Sequence, residues 1–299
     1  MAVRFVNLSE LYRDCIRVSA GTFLAYVGLN VLSRFVYAWR WNLICTRVFR
    51  LPGTSPLFLL RVNLLSEFAG IALPSSMGGE AVRVMKVVPR TNAAALTAAS
   101  IVVDRASGIV VMFFIALLLS PWLGIPMTGP YVVAGGAVLA SAFVAGAFWL
   151  YRRRKQAQLA ATVQTLDLAY RWWPGLAVLT AAGHLVFAGS HYLLFAEIDP
   201  LPLPTVVAVV MVAQLARTVP VSLLGIGVAE ASLVALAGLA GASHGAAVAV
   251  VALSLVCRYL FGISALLLEL GCDGRCFLDK LAQRSNERRQ EACADGESP

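Results

Sequence analysis

Residues 131–155 run YVVAGGAVLASAFVAGAFWLYRRRK, an uninterrupted apolar stretch that ends in basic residues. An apolar run of about 20 residues matches the length that an α-helix needs to cross a bilayer. Cytoplasmic loops carry an excess of lysine and arginine, so the basic run Arg152–Lys155 predicts a cytoplasmic loop. This stretch therefore predicts a membrane-spanning helix and fixes the orientation that we expect for the whole chain.

The rest of the sequence has the same apolar character. Of its 299 residues, 59% are hydrophobic and only 13% are charged, and the mean hydropathy is +0.78. A soluble domain carries about 25% charged residues and could not cover its surface with so few. The net charge of +8 lies mostly at the ends of apolar segments, without the interleaved aromatics of a nucleic-acid surface. We therefore predict a plasma (inner) membrane protein with no nucleic-acid partner.

The apolar segments predict an all-α, polytopic transmembrane helix bundle with about six to eight membrane segments. Residues 1–17 are expected to be an interfacial N-terminal segment, and residues 18–270 a single transmembrane domain. Residues 271–299 are expected to be a polar, mobile and cytoplasmic tail. The first span ends in Arg40, Trp41, Arg47 and Arg50, which we interpret as a basic and aromatic anchor at the membrane interface.

Two segments share an order of residues that breaks a helix. The first contains Pro74, Gly78, Gly79 and Glu80, and the second contains Pro220, Gly225, Gly227 and Glu230. An apolar helix with an arginine, Arg61 or Arg217, precedes each break. Non-helical backbone at membrane depth occurs only where it is buried or lines a cavity, and transporters use paired broken helices as binding sites. We predict one or two re-entrant or broken hairpins. The alternative is that proline and glycine only kink packed helices.

Charged residues within or beside the apolar stretches are mostly arginines. A charge at the centre of a bilayer is costly unless it is paired or hydrated. Arginine binds phosphate with two parallel hydrogen bonds and stays charged when buried, so these residues suit a phosphodiester headgroup. The alternative is internal Arg–Glu pairing that only holds helices together. Adjacent Asp104 and Arg105 must serve different partners, whereas Glu80 and Arg83 can pair on one helical face.

The sequence contains no catalytic triad, Walker loop or dinucleotide fingerprint. His184 and His191 lie seven residues apart and are expected to make polar contacts between helices, because two histidines do not form a metal site. We therefore predict no catalytic residues, no metal site and no cofactor.

Three segments together resemble a known family. They are residues 63–83 (NLLSEFAGIALPSSMGGEAVR), residues 103–105 (VDR) and residues 220–230 (PVSLLGIGVAE). They are similar to the flippase-like membrane family that includes the transmembrane domain of lysylphosphatidylglycerol synthase. The resemblance implies a multispan fold with re-entrant helices and a lipid-headgroup cavity. The matching positions are Asn63, Pro74, Gly78, Gly79, Glu80, Arg83, Arg105, Pro220, Gly225, Gly227 and Glu230.

These observations predict a non-enzymatic protein that binds and translocates a phosphate-bearing lipid. Arg83, Arg105 and Arg217 would hold the phosphate with help from Arg258, and Asn63 would also bind the headgroup. Six backbone or hinge residues would let the two broken hairpins move around the site: Pro74, Gly78, Gly79, Pro220, Gly225 and Gly227. Glu80 and Glu230 would pair with the arginines in the absence of lipid or couple to protons. The alternative is a non-catalytic subunit that presents a lipid to a membrane glycosyltransferase or aminoacyltransferase. The soluble aminoacyltransferase domain of the synthases is missing here, so we expect no such transfer by this chain.

Overall fold

The computed structural model shows a helical protein and describes residues 8–72, 77–124, 159–218, 222–223 and 226–294. The predicted all-α class is confirmed. A π-helical turn, Ile44–Val48, extends the second helix, and a 3-10 turn, Ser120–Leu123, follows the fifth. The helices of the described residues are α1 (Leu8–Arg17), α2 (Ala20–Leu43), α3 (Pro56–Ala72), α4 (Met77–Thr91), α5 (Ala94–Leu119), α6 (Leu159–Ile198), α7 (Leu203–Ala216), α8 (Val228–Leu239) and α9 (His244–Ala294).

Among the described residues, three helical segments are long and apolar enough to cross a membrane: Ala94–Leu123, Trp172–Ile198 and His244–Gly271. A fourth arises if α1 and α2, which meet at an angle of 83°, are counted as one bent span. The helices α7 and α8 are apolar but have only 14 and 12 residues. The predicted span at residues 131–151 and the basic run after it lie outside the described residues.

The helices α3 and α4 form an antiparallel hairpin around the first predicted break. Arg90 near the end of α4 stacks on Phe58 near the start of α3, at 3.8 Å from the ring centre. Near the tip, Gly79 packs directly on the α3 backbone, because a Cβ atom at this position would lie 2.7 Å from the carbonyl oxygen of Ser66. Asn92, with φ of 49°, then turns the chain from α4 into α5.

The helix α7 forms the centre of the larger hydrophobic core. Its residues from Val206 to Met211 are all buried, so neighbours cover it on every side. A helix that is apolar all round is typical of such a position. A pair of two-residue antiparallel strands, β1 (Ser222–Leu223) and β2 (Ile226–Gly227), lies between α7 and α8. The second break thus separates two short helices, as the first one does.

The last helix is longer than the sequence predicted. We expected the final span to end at Leu270 and a polar tail to follow, but α9 continues to Ala294. Its apolar part ends at Gly271. The mobility and the cytoplasmic location of the tail remain predictions.

Candidate functional site

Charged side chains inside the helix bundle fall into two groups. The Asp104 group lies on α2, α4 and α5, and the Glu230 group lies on α2, α3, α7, α8 and α9. The two together are named the charged network. The Asp104 group consists of Arg40, Glu80, Arg83, Asp104 and Arg105; the Glu230 group consists of Arg34, Glu67, Arg217, Glu230 and Arg258.

A buried ion pair between Arg40 and Asp104 joins α2 to α5. The Nη2 and Nε atoms of Arg40 donate to Oδ1 of Asp104 at 2.8 and 3.0 Å. Arg40 also donates to the backbone oxygen of Asp104 at 3.1 Å and to the hydroxyl of Thr180 at 3.2 Å. Both charged side chains are almost fully buried, at 6% and 7% exposure. Because Oδ1 and the guanidinium are satisfied by each other, this pair fixes the geometry around the second carboxylate oxygen.

Arg83 lies beside that second oxygen and is the least satisfied cation of the group. Its Nη1 atom is 3.7 Å from Oδ2 of Asp104 and 3.8 Å from Oε2 of Glu80, and its guanidinium lies over the ring of Trp41 at 5.1 Å. Arg83 is buried, yet its Nε and Nη1 atoms donate no hydrogen bond to any described residue. Most buried donors have a partner. Arg83 therefore has the capacity to bind a further acceptor.

Glu80 connects this buried centre to the surface. It lies in the first turn of α4 and accepts from Nε of Arg105 at 2.6 Å. The side chain of Arg105 is 56% exposed, whereas that of its neighbour Asp104 is buried. The two adjacent residues thus have different partners, as the sequence predicted. The predicted pairing of Glu80 with Arg83 is present as a long contact.

Glu230 accepts hydrogen bonds from two arginines that lie in different parts of the bundle. Its Oε1 atom accepts from Arg217 at 2.9 Å and from Arg258 at 2.5 Å. Its Oε2 atom accepts from the backbone N–H of Gly227 at 2.9 Å, which caps the start of α8. Glu230 is buried, whereas the side chain of Arg217 is 43% exposed. One carboxylate therefore ties α7, α8 and α9 together next to the second break.

Arg34 and Glu67 complete the Glu230 group. The Nη2 and Nε atoms of Arg34 donate to Oε2 of Glu67 at 3.0 and 3.3 Å, and its guanidinium lies 4.3 Å from the ring centre of Phe261. Arg217 interacts electrostatically with both Arg34 and Glu67. Arg34 and Arg40 both lie on α2, six residues apart, so this helix carries a member of each group.

The remaining predicted site residues are placed as follows. Asn63 is buried on α3, and its side-chain oxygen accepts no hydrogen bond from any described residue. Gly78 and Gly79 lie in the first turn of α4, where Gly79 allows close packing on α3. Gly227 is the N-cap of α8. Three predicted hinge residues, Pro74, Pro220 and Gly225, lie outside the described residues.

Three features of the sequence interpretation were wrong or incomplete. Of the predicted anchor, Arg40 and Trp41 are buried and do not anchor the chain at the interface, whereas Arg47 and Arg50 are exposed. Arg34 was not singled out, although an arginine within an apolar helix is itself a signal of an internal partner. The parallel between the two breaks is also partial, because Arg217 pairs with Glu230 but Arg61 pairs with Glu269 on α9.

His184 makes the expected polar contact between helices, whereas the hydrogen-bond contacts of His191 lie within its own helix. The Nδ1 atom of His184 is 2.8 Å from the hydroxyl of Tyr37 on α2. The ring of His191 packs edge-on against Tyr26 of the same helix, and its Nδ1 atom lies 3.1 Å from the backbone oxygen of Phe187. Among the residues that the structure describes, no three His, Cys, Asp or Glu side chains converge on a possible metal position.

A comparison with protein families identifies the relationship. The sequence model of the family described as "Lysylphosphatidylglycerol synthase TM region" matches residues 1–265. The chain belongs to this family. Membership makes it a multi-pass membrane protein related to lipid modification or translocation. The match includes both breaks and every residue of the charged network, whereas Glu269 lies beyond it. No curated protein and no solved structure matches the chain.

Proposed function

We propose that this protein binds a phosphate-bearing lipid in the charged network and moves its headgroup across the membrane. Arg83 carries the proposal. Its guanidinium is buried beside two carboxylates but makes only long contacts with them, and two of its nitrogen atoms have no acceptor among the described residues. A phosphodiester supplies the acceptors that such a group needs, because arginine matches phosphate geometry with two parallel bonds.

The charge balance supports an anionic ligand. The charged network contains six arginines and four carboxylates, which leaves two excess positive charges. Uncompensated charge is costly at membrane depth. The headgroup of a phospholipid or of a polyisoprenyl-phosphate-linked lipid would reduce that excess. A neutral lipid would not.

The two breaks support movement of the bound headgroup. In each, the first turn of the second helix contains an acidic residue, Glu80 or Glu230. This residue accepts a hydrogen bond from an arginine outside that helix. In the proposed cycle these carboxylates pair with the arginines when lipid is absent and release them to the phosphate. The hairpin of α3 and α4 and the pair α7 and α8 would enter the membrane without crossing it, since each helix is shorter than the roughly 20 residues of a span.

In this proposal the chain lies in the plasma (inner) membrane with the loop at residues 152–155 on the cytoplasmic side. It moves lipid without making or breaking covalent bonds. Membrane lipids are its partners, and a membrane glycosyltransferase or another lipid-modifying enzyme would use the lipid that it delivers.

A headgroup-accessibility assay in proteoliposomes tests the proposal. Headgroup-labelled phosphatidylglycerol, phosphatidylcholine and a labelled polyisoprenyl phosphate would each be offered to the purified protein, and an impermeant quencher would report the side of the label. The decisive variant is Arg83→Gln. It is expected to fold, because Asp104 retains its ion pair with Arg40 and Glu80 retains its ion pair with Arg105. Loss of a charged hydrogen bond should weaken lipid binding about tenfold or more.

Arg47→Gln is the matched control, because Arg47 is an exposed arginine that stacks on Trp172 outside the charged network. We expect the wild type and this control to move an anionic lipid and Arg83→Gln to fail. Equal movement by Arg83→Gln, or no anionic lipid bound by the wild type, would contradict the proposed role of the network. Tight binding without movement would favour the lipid-presenting subunit.

A further inference from the structure

A second amphiphilic site lies on the outside of the bundle, between α3, α4 and α9. Two adjoining cavities share the side chains of Leu65, Met85 and Lys86. One has a volume of about 540 Å³ and is otherwise apolar, with Phe68 and Leu266 in its wall. The other has a volume of about 430 Å³ and is lined by charged residues at its far end. We name the two together the outer groove; both parts are open to the surroundings.

The charged end of the outer groove has an excess of positive charge. Glu269 accepts from Arg61 at 2.9 Å and from Lys86 at 2.5 Å. Arg90 also lines this end and stacks on Phe58. Three cations thus face one carboxylate. Arg61 and Lys86 are about 40% exposed, at 41% and 38%, so an anion from outside the protein can reach them.

The groove has the polarity of a lipid in one leaflet. Glu269 lies two residues before Gly271, where the apolar span of α9 ends, so the charged end is expected at the membrane surface. Leu266 lies about one helical turn closer to the membrane centre. On α3, Phe68 lies about two helical turns after Arg61 and is likewise expected closer to the membrane centre. Charge therefore lies at the surface and apolar wall lies below it.

We propose that the outer groove binds one anionic glycerophospholipid from the surrounding leaflet. The phosphate binds Arg61 and Lys86 in competition with Glu269, and an acyl chain follows Leu65, Met85 and Leu266. This site is separate from the charged network, and it goes beyond the proposed function because it requires no transport. The charge complementarity selects an anionic over a zwitterionic lipid, and the apolar half selects a lipid over free phosphate.

Native mass spectrometry of the detergent-solubilised protein tests this site, because it counts bound lipids and gives their affinities. All variants carry Arg83→Gln, which weakens lipid binding in the charged network about tenfold or more. The probes are dioleoyl phosphatidylglycerol, dioleoyl phosphatidylcholine and inorganic phosphate. Two variants have opposite expected effects. Arg61→Gln with Lys86→Gln removes the cations, whereas Glu269→Gln removes their competitor; Arg47→Gln serves as control.

A basic residue near an anionic headgroup contributes about fivefold in affinity, so loss of both cations should weaken phosphatidylglycerol binding about 25-fold. Glu269→Gln should strengthen it about fivefold, a gain that misfolding cannot produce. Phosphatidylcholine, whose phosphate is balanced by its own choline, should bind more weakly and should lose less affinity than phosphatidylglycerol when both cations are removed. Inorganic phosphate should compete poorly.

Several results would overturn the outer groove as a lipid site. They are affinities within twofold of the parent in both groove variants, equal binding of the two lipids, or competition by free phosphate as strong as that by lipid. Absence of bound phosphatidylglycerol from the Arg83→Gln parent would also overturn it, while leaving the proposed transport intact. Conversely, if phosphatidylglycerol binds in the outer groove but the wild type moves no lipid, the proposed transport is wrong and the outer groove stands as a lipid site.

Discussion

Replacing Arg40 with methionine tests the contribution of the buried ion pair to the fold. Methionine fills much of the same space without charge, so the main effect is to leave Asp104 buried without its partner. The change removes the two hydrogen bonds to Oδ1 of Asp104, at 2.8 and 3.0 Å, and the bonds to the backbone oxygen and to Thr180. Among the cations of the described residues, only Arg83 would still form an ion pair with the carboxylate, with its Nη1 atom 3.7 Å from Oδ2.

The expected cost follows from this geometry. Breaking a buried ion pair by removal of one partner costs about 3–5 kcal/mol, because the other charge stays desolvated. Arg83 supplies part of the lost compensation, so we place Arg40→Met at the lower end, about 3 kcal/mol. Adding Asp104→Leu removes the orphaned charge. The double variant should therefore be at least about 1.5 kcal/mol more stable than the sum of the two single effects.

The free energy of unfolding is measured by reversible denaturation in mixed micelles of a mild detergent and sodium dodecyl sulfate. Arg17→Met is the control. It removes a 3.3 Å pair with Asp14 in which the arginine side chain is 62% exposed. Such an exposed pair contributes about 0.2–1 kcal/mol. The difference between the two arginine variants then reports burial and not charge alone.

Two results would refute this reasoning. One is an Arg40→Met variant whose stability lies within about 0.5 kcal/mol of the wild type, which would place the pair among the weak exposed ones. The other is strict additivity of Arg40→Met and Asp104→Leu, which would mean that the two side chains do not interact energetically.

Two further predictions concern packing. Gly79→Ala should cost about 1–3 kcal/mol in the same unfolding assay, because its Cβ would lie 2.7 Å from the backbone oxygen of Ser66. The control Gly70→Ala, whose Cβ would meet nothing within 4 Å, should be neutral or stabilising. Equal effects of the two substitutions would contradict the close packing at Gly79. In single-cysteine variants, buried Cys45 and Cys257 should react with a maleimide far more slowly in the folded than in the denatured protein, whereas half-buried Cys15 should differ less. Rapid labelling of folded Cys45 would be inconsistent with the core between α2 and α5.

Much of the candidate site was predictable because charge in an apolar helix is costly wherever the helix lies. That cost marks Arg83, Asp104, Arg217 and Glu230 from the amino-acid sequence alone. Pairs that are close in the chain were also accessible, since residues three apart on a helix are neighbours, as for Glu80 and Arg83.

Partners distant in the chain were not predictable in this way. Arg40 pairs with Asp104 across 64 residues, and Arg61 pairs with Glu269 across 208. Helical periodicity shows which side of a helix a residue occupies but not which helix it faces. Arg40 was therefore misinterpreted as an interface anchor, because a basic residue near the end of an apolar run fits that role equally well.

The amino-acid sequence by itself determined that the chain is an all-α membrane protein, that two breaks interrupt its helices, and that arginines and carboxylates are buried within it. These properties follow from local composition, since hydropathy, proline and glycine act on the segment that contains them. Only the tertiary structure decided which charges meet, that Arg83 keeps unused donors, and that Glu269 lies in an outer groove with Arg61 and Lys86. Such contacts depend on the packing of whole helices, which is set by the summed fit of many side chains and not by any one segment.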